Sequence, residues 1–281
     1  MISGTRYQLR LEVERQRRLA SEIARAQSEI STGKKILAPS DEPAAAARIS
    51  DIARSQANQT TWRSNLDKAA ATSAQAETVL KSLATAFTRA AELMVQGANQ
   101  TLSTADRNAI ALELDSLSAH VVALRNTRDS RGELLFPDGD AIRIPVAADL
   151  ELTAVETAEA VFDTVPSVFG IRQLHRILSD AATATRGGAP AAVSALLEEV
   201  NAGVLHLASV QAQHGAQANR IDQMIEQHEE LAIVLQDERT GLESADITEV
   251  IAMLQAKELS LEAAQAAFAR IHRSSLFDLI G

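Results

Sequence analysis

The sequence predicts a mainly α-helical protein: an elongated antiparallel helical bundle or coiled coil, formed by the N- and C-terminal halves, with a small β-hairpin region at its distal tip. Three observations lead to this prediction. Aromatic residues make up only 3% of the 281 residues, which favours close helix packing over sheets. Both ends of the chain carry apolar residues at helical spacing. Residues 44–96 contain neither proline nor glycine, so one long helix can occupy them.

The first helix is predicted over residues 9–30. Its apolar residues recur at steps of three and four, interrupted by Glu12 and Gln16, as expected for a helix with one apolar stripe. Gly33 can end this helix in the left-handed conformation, and Pro43 suits the first turn of the next helix. The predicted assembly seam of this helix consists of Leu9, Leu19, Ile23, Ala26 and Ile30.

The last forty residues predict a second seam. Counted in heptads from Ile247, only Lys257 and Ser275 are polar among nine seam positions. Residues 1–35 hold eight basic and four acidic side chains, whereas residues 243–281 hold six acidic and three basic. We therefore expect the two ends to pair. The apolar positions of the C-terminal seam are Ile247, Val250, Leu254, Leu261, Ala264, Phe268 and Ile271.

The middle of the chain divides into further elements. A helix is expected from Ser103 or Thr104 to about Arg128, and one or two β-hairpins in residues 134–165. Another helix is expected from Ser167 to Thr185, and its apolar residues Phe169, Leu174, Ile177 and Leu178 are expected to pack on earlier helices. A second long helix is expected from Pro190 to about Arg239, with a bend or an unbroken helix at Gly241.

These elements predict three domains. Residues 1–42 with 243–281 form a terminal coiled-coil domain, residues 43–133 with 166–242 form a helical rod, and residues 134–165 form a small β-rich tip. A two-helix seam buries little apolar surface relative to the entropy of ordering its backbone. We therefore expect the terminal domain to be wholly or partly disordered in the monomer and to become helical on assembly.

Composition argues against several classes of function. The net charge of −10 disfavours nucleic-acid binding, and no apolar run is long enough for stable membrane insertion. The six histidines are scattered, there is no cysteine, and the glycines form no phosphate-binding pattern, so we predict no catalytic, metal-binding or cofactor-binding site and no enzyme activity.

Motifs at both ends resemble those of the bacterial flagellin superfamily, most nearly in the form found at the hook-filament junction. The N-terminal motif runs from Gln27 to Ala46, and Glu133 to Gly139 is similar to a diverged turn of that family. Asp246 to Lys257 resembles the family's C-terminal helix. The motif residues singled out are Ser31, Thr32, Gly33, Lys34, Pro39, Ser40, Asp41, Pro43, Ser275, Leu276 and Phe277.

The resemblance implies a structural axial protein of the flagellum, located outside the cell and exported without a cleaved signal peptide. It implies a junction subunit that adapts the hook to the filament and assembles with itself as a ring of about eleven subunits. The implied partners are hook-associated protein 1, flagellin and a flagellar export chaperone. Two alternatives stay open: a short atypical flagellin that forms the filament itself, and a cytosolic coiled-coil scaffold, because heptads alone identify no partner.

Overall fold

The computed structural model describes residues 2–129 and 131–277, and gives only the backbone for residues 2–6, 8, 9 and 271–277. The described chain is dominated by long helices that pack against each other, with two small antiparallel sheets. The helices are α1 (Ile2–Thr32), α2 (Pro43–Gly97), α3 (Thr104–Arg125), α4 (Leu174–Gly187), α5 (Pro190–Glu243) and α6 (Ile247–Phe277). The strands are β1 (Arg143–Ala147), β2 (Leu150–Thr153), β3 (Val165–Ser167) and β4 (Gly170–Arg172), with a π-helical turn at Glu159–Asp163.

The chain divides into two units. Unit 1 comprises residues 1–57 and 231–281, and unit 2 comprises residues 58–230. Both boundaries fall inside the long helices α2 and α5, so each unit contains a part of both.

The core of unit 2 lies between the long helices and the shorter α3 and α4. Phe87 of α2 is fully buried, and its ring lies so close to Gly203 of α5 that a Cβ built there would come within 2.3 Å of Phe87 Cε1. Phe136 and Phe162 are also buried and meet edge to face with ring centroids 5.4 Å apart. The absence of a side chain at Gly203 therefore permits the close approach of α5 to α2.

The predicted helix α2 and the predicted start of helix α3 are confirmed. α2 begins at Pro43 and ends at Gly97, as the proline and glycine positions indicate. α3 begins with a capping box, in which the Ser103 hydroxyl accepts from Asp106 N and the Asp106 carboxylate accepts from Ser103 N. α3 ends at Arg125, three residues earlier than expected, and Arg128 instead forms an isolated β-bridge with Leu134.

The hairpin predicted within residues 134–165 is present as β1 and β2. Its backbone is bound to both long helices of unit 2, because Asn65 Nδ2 donates to Pro145 O (2.9 Å) and His228 Nε2 lies 2.8 Å from Val146 O. The His228 side chain is buried and also contacts the Gln59 amide oxygen. One buried histidine thus joins α2, α5 and the hairpin.

The helix predicted from Ser167 begins instead at Leu174. Residues 165–172 form a second hairpin, β3–β4, whose turn needs the positive φ of +95° at Gly170. Phe169 is 61% exposed rather than packed on earlier helices, so that prediction was wrong. Leu174, Ile177 and Leu178 are buried as expected.

The second long helix continues unbroken through Gly241 to Glu243. One 18-residue stretch of this helix has a mean hydropathy of 1.2, enough by length and composition alone to cross a membrane. Val193, Val200 and Leu207 of the same helix are buried in the core of unit 2. The apolar character of α5 is thus used at least in part for internal packing.

Candidate assembly site

The two terminal helices pair with each other in unit 1. Lys257 of α6 forms an ion pair with Glu22 of α1 (3.0 Å), and Lys34 bridges antiparallel to Ser244. From Glu22 to Lys34 the residue number rises, whereas their partners Lys257 and Ser244 fall in number. The helices α1 and α6 therefore run antiparallel. The polar position Lys257, which interrupts the apolar seam, is thus paired across the helix contact.

The predicted seam positions differ in their burial. Ala26 and Val250 are buried, whereas Ile247 is 36% exposed. The structure describes only the backbone of Leu9, Ile271, Ser275, Leu276 and Phe277. The remaining seam residues are half-buried: Leu19, Ile23, Ile30, Leu254, Leu261, Ala264 and Phe268.

α6 is apolar well beyond its seam. Ile251 and Met253, on either flank of the seam, are 41% and 43% exposed, and Leu259 on the opposite side is 68% exposed. Sequence reasoning based on heptads missed these residues, because they fall outside the seam; the signal was the presence of large apolar residues at positions other than the seam positions. Six exposed alanines also lie outside the seam: Ala252, Ala256, Ala263, Ala266, Ala267 and Ala269.

The segment between α1 and α2 is tied to the segment between α5 and α6 through backbone hydrogen bonds. Gly33, with φ of +68°, ends α1 and turns the chain. Lys35 N then donates to Glu243 O (2.8 Å), and Ala245 N donates to Gly33 O (3.0 Å). The turn at Gly33 of the predicted motif therefore allows two backbone hydrogen bonds to form between the α1–α2 loop and the α5–α6 connection.

Asp41 organises the rest of the loop. One oxygen of its carboxylate accepts from Leu37 N and Ala38 N, both at 3.0 Å, and the other lies 3.2 Å from Arg25 Nη1 of α1. The backbone N–H groups of Ala38 and then Leu37, followed by the Arg25 charge, lower the pKa of Asp41 below its usual value. The Asp41 side chain thus links the loop ahead of α2 to α1.

Lys34 makes the corresponding link to α5. Its Nζ lies 2.7 Å from the Glu243 carboxylate, which also receives Arg239 Nε at 2.9 Å. The hydrogen bond from Lys34, with a further one from Arg239, lowers the pKa of Glu243. Nearby, Arg48 of α2 binds Glu238 of α5 through two contacts of 2.6 and 2.8 Å.

The other motif residues of this loop have simpler roles. The Thr32 hydroxyl donates to Ser28 O (2.8 Å), and Pro43 occupies the first position of α2, where no N–H is needed. Ser31, Pro39 and Ser40 are exposed. The structure thus brings Gly33, Lys34 and Asp41 into one connected site, while three motif residues lie free on its surface.

This arrangement joins the loop to α1 and α5. Within residues 2–129 and 131–277 no group of three or more histidine, cysteine, aspartate or glutamate side chains is placed to hold a metal ion. The buried histidines make structural contacts: His214 Nε2 lies 2.9 Å from Ser73 O, and His228 holds the β1–β2 hairpin. The charged side chains Asp41 and Lys34 of the loop are thus engaged with α1 and α5.

Comparison with known proteins gives consistent matches. A family model described as the bacterial flagellin N-terminal helical region matches residues 12–139. Flagellar hook-associated protein 3 of Escherichia coli (strain K12) is 24% identical over 89% of this chain and 90% of its own length.

Two solved structures share the fold. The structure of a flagellar hook-associated protein from Vibrio parahaemolyticus has a TM-score of 0.65 and 19% identity, covering 73% of this chain and all of the other. That of the flagellar junction protein FlgL from Legionella pneumophila has a TM-score of 0.56 and 14% identity, covering 70% of this chain and all of the other. The chain is thus similar to the bacterial flagellin N-terminal helical region over residues 12–139, and to flagellar hook-associated protein 3 over most of its length.

Proposed function

We propose that this protein is a structural subunit of the hook-filament junction of the bacterial flagellum, outside the cell, and that it has no enzymatic role. The observation that carries the proposal is the terminal helix pair, in which α6 has apolar residues on sides that α1 does not cover. An apolar surface of this kind marks a contact with other protein. The match to hook-associated protein 3 over 89% of the chain supports the same function.

We propose different contacts for the two sides of α6. The seam residues, with Leu254 and Leu261 at the centre, hold α1 and α6 together, whereas the outer side of α6, including Leu259 and Ala263, contacts neighbouring subunits. Partners follow from the family: further copies in a ring of about eleven subunits, hook-associated protein 1 on one side and flagellin on the other, and an export chaperone before assembly. The loop of residues 31–43 joins the terminal helices to the long helices and contacts a neighbouring subunit.

We also propose that the terminal segments, residues 1–42 and 243–281, are weakly held in the monomer and are fully ordered only on assembly. Ala26 and Val250 are the buried residues among the described side chains of α1 and α6, so the pair contributes little burial. Hydrogen exchange on the dilute monomer should find weak protection in residues 1–35. Strong protection there would contradict this part of the proposal.

The location of the protein tests the proposed function. Immunogold labelling of isolated flagella should give a band at the boundary of hook and filament. Labelling along the filament would favour the alternative of an atypical flagellin, and no labelling of flagella would favour a scaffold inside the cell.

Two pairs of substitutions in α6 test the contacts proposed for its two sides. Leu254→Asp with Leu261→Asp should disrupt the pairing of α1 with α6 and block assembly. Leu259→Asp with Ala263→Asp should leave the helix content of the monomer unchanged in circular dichroism, yet also block incorporation into flagella. Gln255→Asp, at an exposed polar position of α6, is the control. Normal flagella from both double variants would refute the proposal.

A further inference from the structure

The β3–β4 hairpin of unit 2 presents an apolar tip to solvent. Val168, Phe169 and Ile171, which we call the hairpin tip, are 76%, 61% and 73% exposed. Among the phenylalanines whose side chains the structure describes, Phe169 is the one with an exposed ring, while Phe87, Phe136 and Phe162 are fully buried. Three large apolar side chains exposed within four residues mark a contact surface.

The hairpin tip is held in a fixed conformation. Ser167 Oγ accepts from Phe169 N (3.1 Å) and donates to Gly170 O (3.0 Å), which closes the turn. At its base Val165 is fully buried, and Arg172 pairs with Asp180 of α4. Because the turn is already ordered, docking of the tip costs little conformational entropy.

The same unit carries a groove that suits such a tip. It lies between α2 and α3, has a volume of about 500 Å³, and is lined by Thr78, Lys81, Ser82, Thr85, Ala86 and Arg89 of α2 with Leu117 and His120 of α3. Ala86 is 5% exposed and forms part of the floor. Grooves of about 300–1,000 Å³ accept whole side chains. We call this surface the α2–α3 groove.

The charged residues at the groove edge are neutralised within the chain. Lys81 pairs with Glu77 (2.7 Å), and Arg89 pairs with Glu113 (2.7 Å) and Glu92 (3.1 Å). Their aliphatic stems remain available to line the groove, and residues 165–171 of the hairpin carry no charge. The groove therefore suits an uncharged apolar segment better than an anionic ligand.

We propose that the hairpin tip of one copy docks in the α2–α3 groove of a second copy of this chain. Within one molecule the tip is exposed, so it does not fill the groove of its own chain. A protruding apolar patch and a complementary groove at different places on one molecule produce a head-to-tail contact, which repeats into a ring or a helix. The proposal rests on the assembly of many copies described above, and adds a contact outside the terminal helices.

The contact is weak alone. Three side chains bury far less than the roughly 800 Å² per partner of a stable interface, so the contact forms when other surfaces already hold the copies together. Cysteine cross-linking detects such a contact, and the natural chain contains no cysteine that would interfere.

The test uses the full-length chain carrying Phe169→Cys with Ser82→Cys, supplied as the sole copy in flagellated cells. Flagella are isolated, oxidised and separated by denaturing electrophoresis. We expect a ladder of covalent oligomers, whereas each single variant should give no species larger than a dimer. The control is Leu205→Cys with Ser82→Cys, because Leu205 is an apolar residue 71% exposed outside the hairpin. Phe169→Ser should also incorporate less efficiently than Leu205→Ser.

The outcomes separate this contact from the proposed function. Normal flagella that contain the double variant but give no ladder beyond the control overturn the hairpin contact and leave the junction function intact. A cross-link to a different protein overturns the proposal that the groove binds a second copy of this chain. If the chain is absent from flagella, the junction function fails, and the contact, which depends on that assembly, is overturned with it.

Discussion

Replacement of Gly203 by alanine tests how closely α5 approaches α2 in unit 2. A Cβ at this position would lie 2.3 Å from Phe87 Cε1 and 2.7 Å from Phe87 Cδ1, shorter than any normal carbon contact. The Phe87 ring is fully buried, so it cannot swing aside without displacing its neighbours. The same helix offers a matched control, since a Cβ at Gly215 meets no atom within 4 Å.

The magnitude follows from two opposing effects. An extra methyl group in a filled core costs about 1–3 kcal/mol, whereas replacing glycine by alanine within a helix gains about 1 kcal/mol at either position. Gly215→Ala should therefore stabilise the protein by about 0.5–1 kcal/mol. Gly203→Ala should be less stable than Gly215→Ala by about 1–3 kcal/mol, because only Gly203→Ala has the packing cost.

Thermal unfolding followed by circular dichroism measures the difference. For a chain of this size 1 kcal/mol shifts the midpoint by about 2–4 °C, so the Gly203→Ala midpoint should lie about 2–12 °C below that of Gly215→Ala. Phe87→Leu combined with Gly203→Ala should recover part of the loss, since the smaller side chain vacates the contact. Equal midpoints for the two glycine variants would refute the close approach of the helices.

Three further predictions concern the loop and the buried histidine. Asp41→Asn should reduce hydrogen-exchange protection of residues 33–43, because it keeps an acceptor oxygen but loses the ion pair, whereas Glu42→Gln should have little effect. The pKa values of Asp41 and Glu243 are lowered from ordinary values of 3.8 and 4.5, so the stabilisation from these two carboxylates is complete above the ordinary values and is lost as the pH falls through the lowered pKa values. Hydrogen exchange measured during an acid titration should therefore show loss of protection in this loop below about pH 4. Unchanged protection at pH 2 would contradict the reasoning. His228→Leu should cost about 1–3 kcal/mol in denaturant unfolding by leaving buried oxygens unpaired, and the exposed His120→Leu should cost nearly nothing.

Most helices could be predicted because their signals are local. Pro43 and Gly97 bound α2 through their own backbone restrictions, and Ser103 with Asp106 makes a capping box that depends on four residues alone. The antiparallel pairing of the terminal helices was indicated by two periodic seams. These features need no knowledge of distant contacts.

The β3–β4 hairpin could not be predicted in the same way. Val168 and Phe169 read as the start of an apolar helix face, because residues 174–178 continue it. What decides the hairpin is Gly170, whose positive φ closes a turn, together with the burial of Val165 in the core. The latter contact is made by tertiary packing, which overrides local preference.

The loop motif was found by its residue pattern, but its mechanism needed the structure. The Asp41 carboxylate accepts from the N–H groups of Leu37 and Ala38, ahead of α2, and pairs with Arg25 of α1. Arg25, the partner of Asp41, lies 16 residues before it. Glu243, the partner of Lys34, lies far along the chain from it. Only the fold brings such partners together.

The strengths of these contacts bear on how the terminal helices could act. Asp41 and Lys34 fix the loop by ion pairs and hydrogen bonds at the surface, which salt and water weaken. The seam of α1 and α6 is half-buried, and the outer side of α6 is exposed. A neighbouring subunit that covers Leu259 would exclude water from that side and so strengthen the helix it contacts. Each added copy would then stabilise the terminal helices of the copy before it, so that the order of the ends depends on assembly rather than on the single chain.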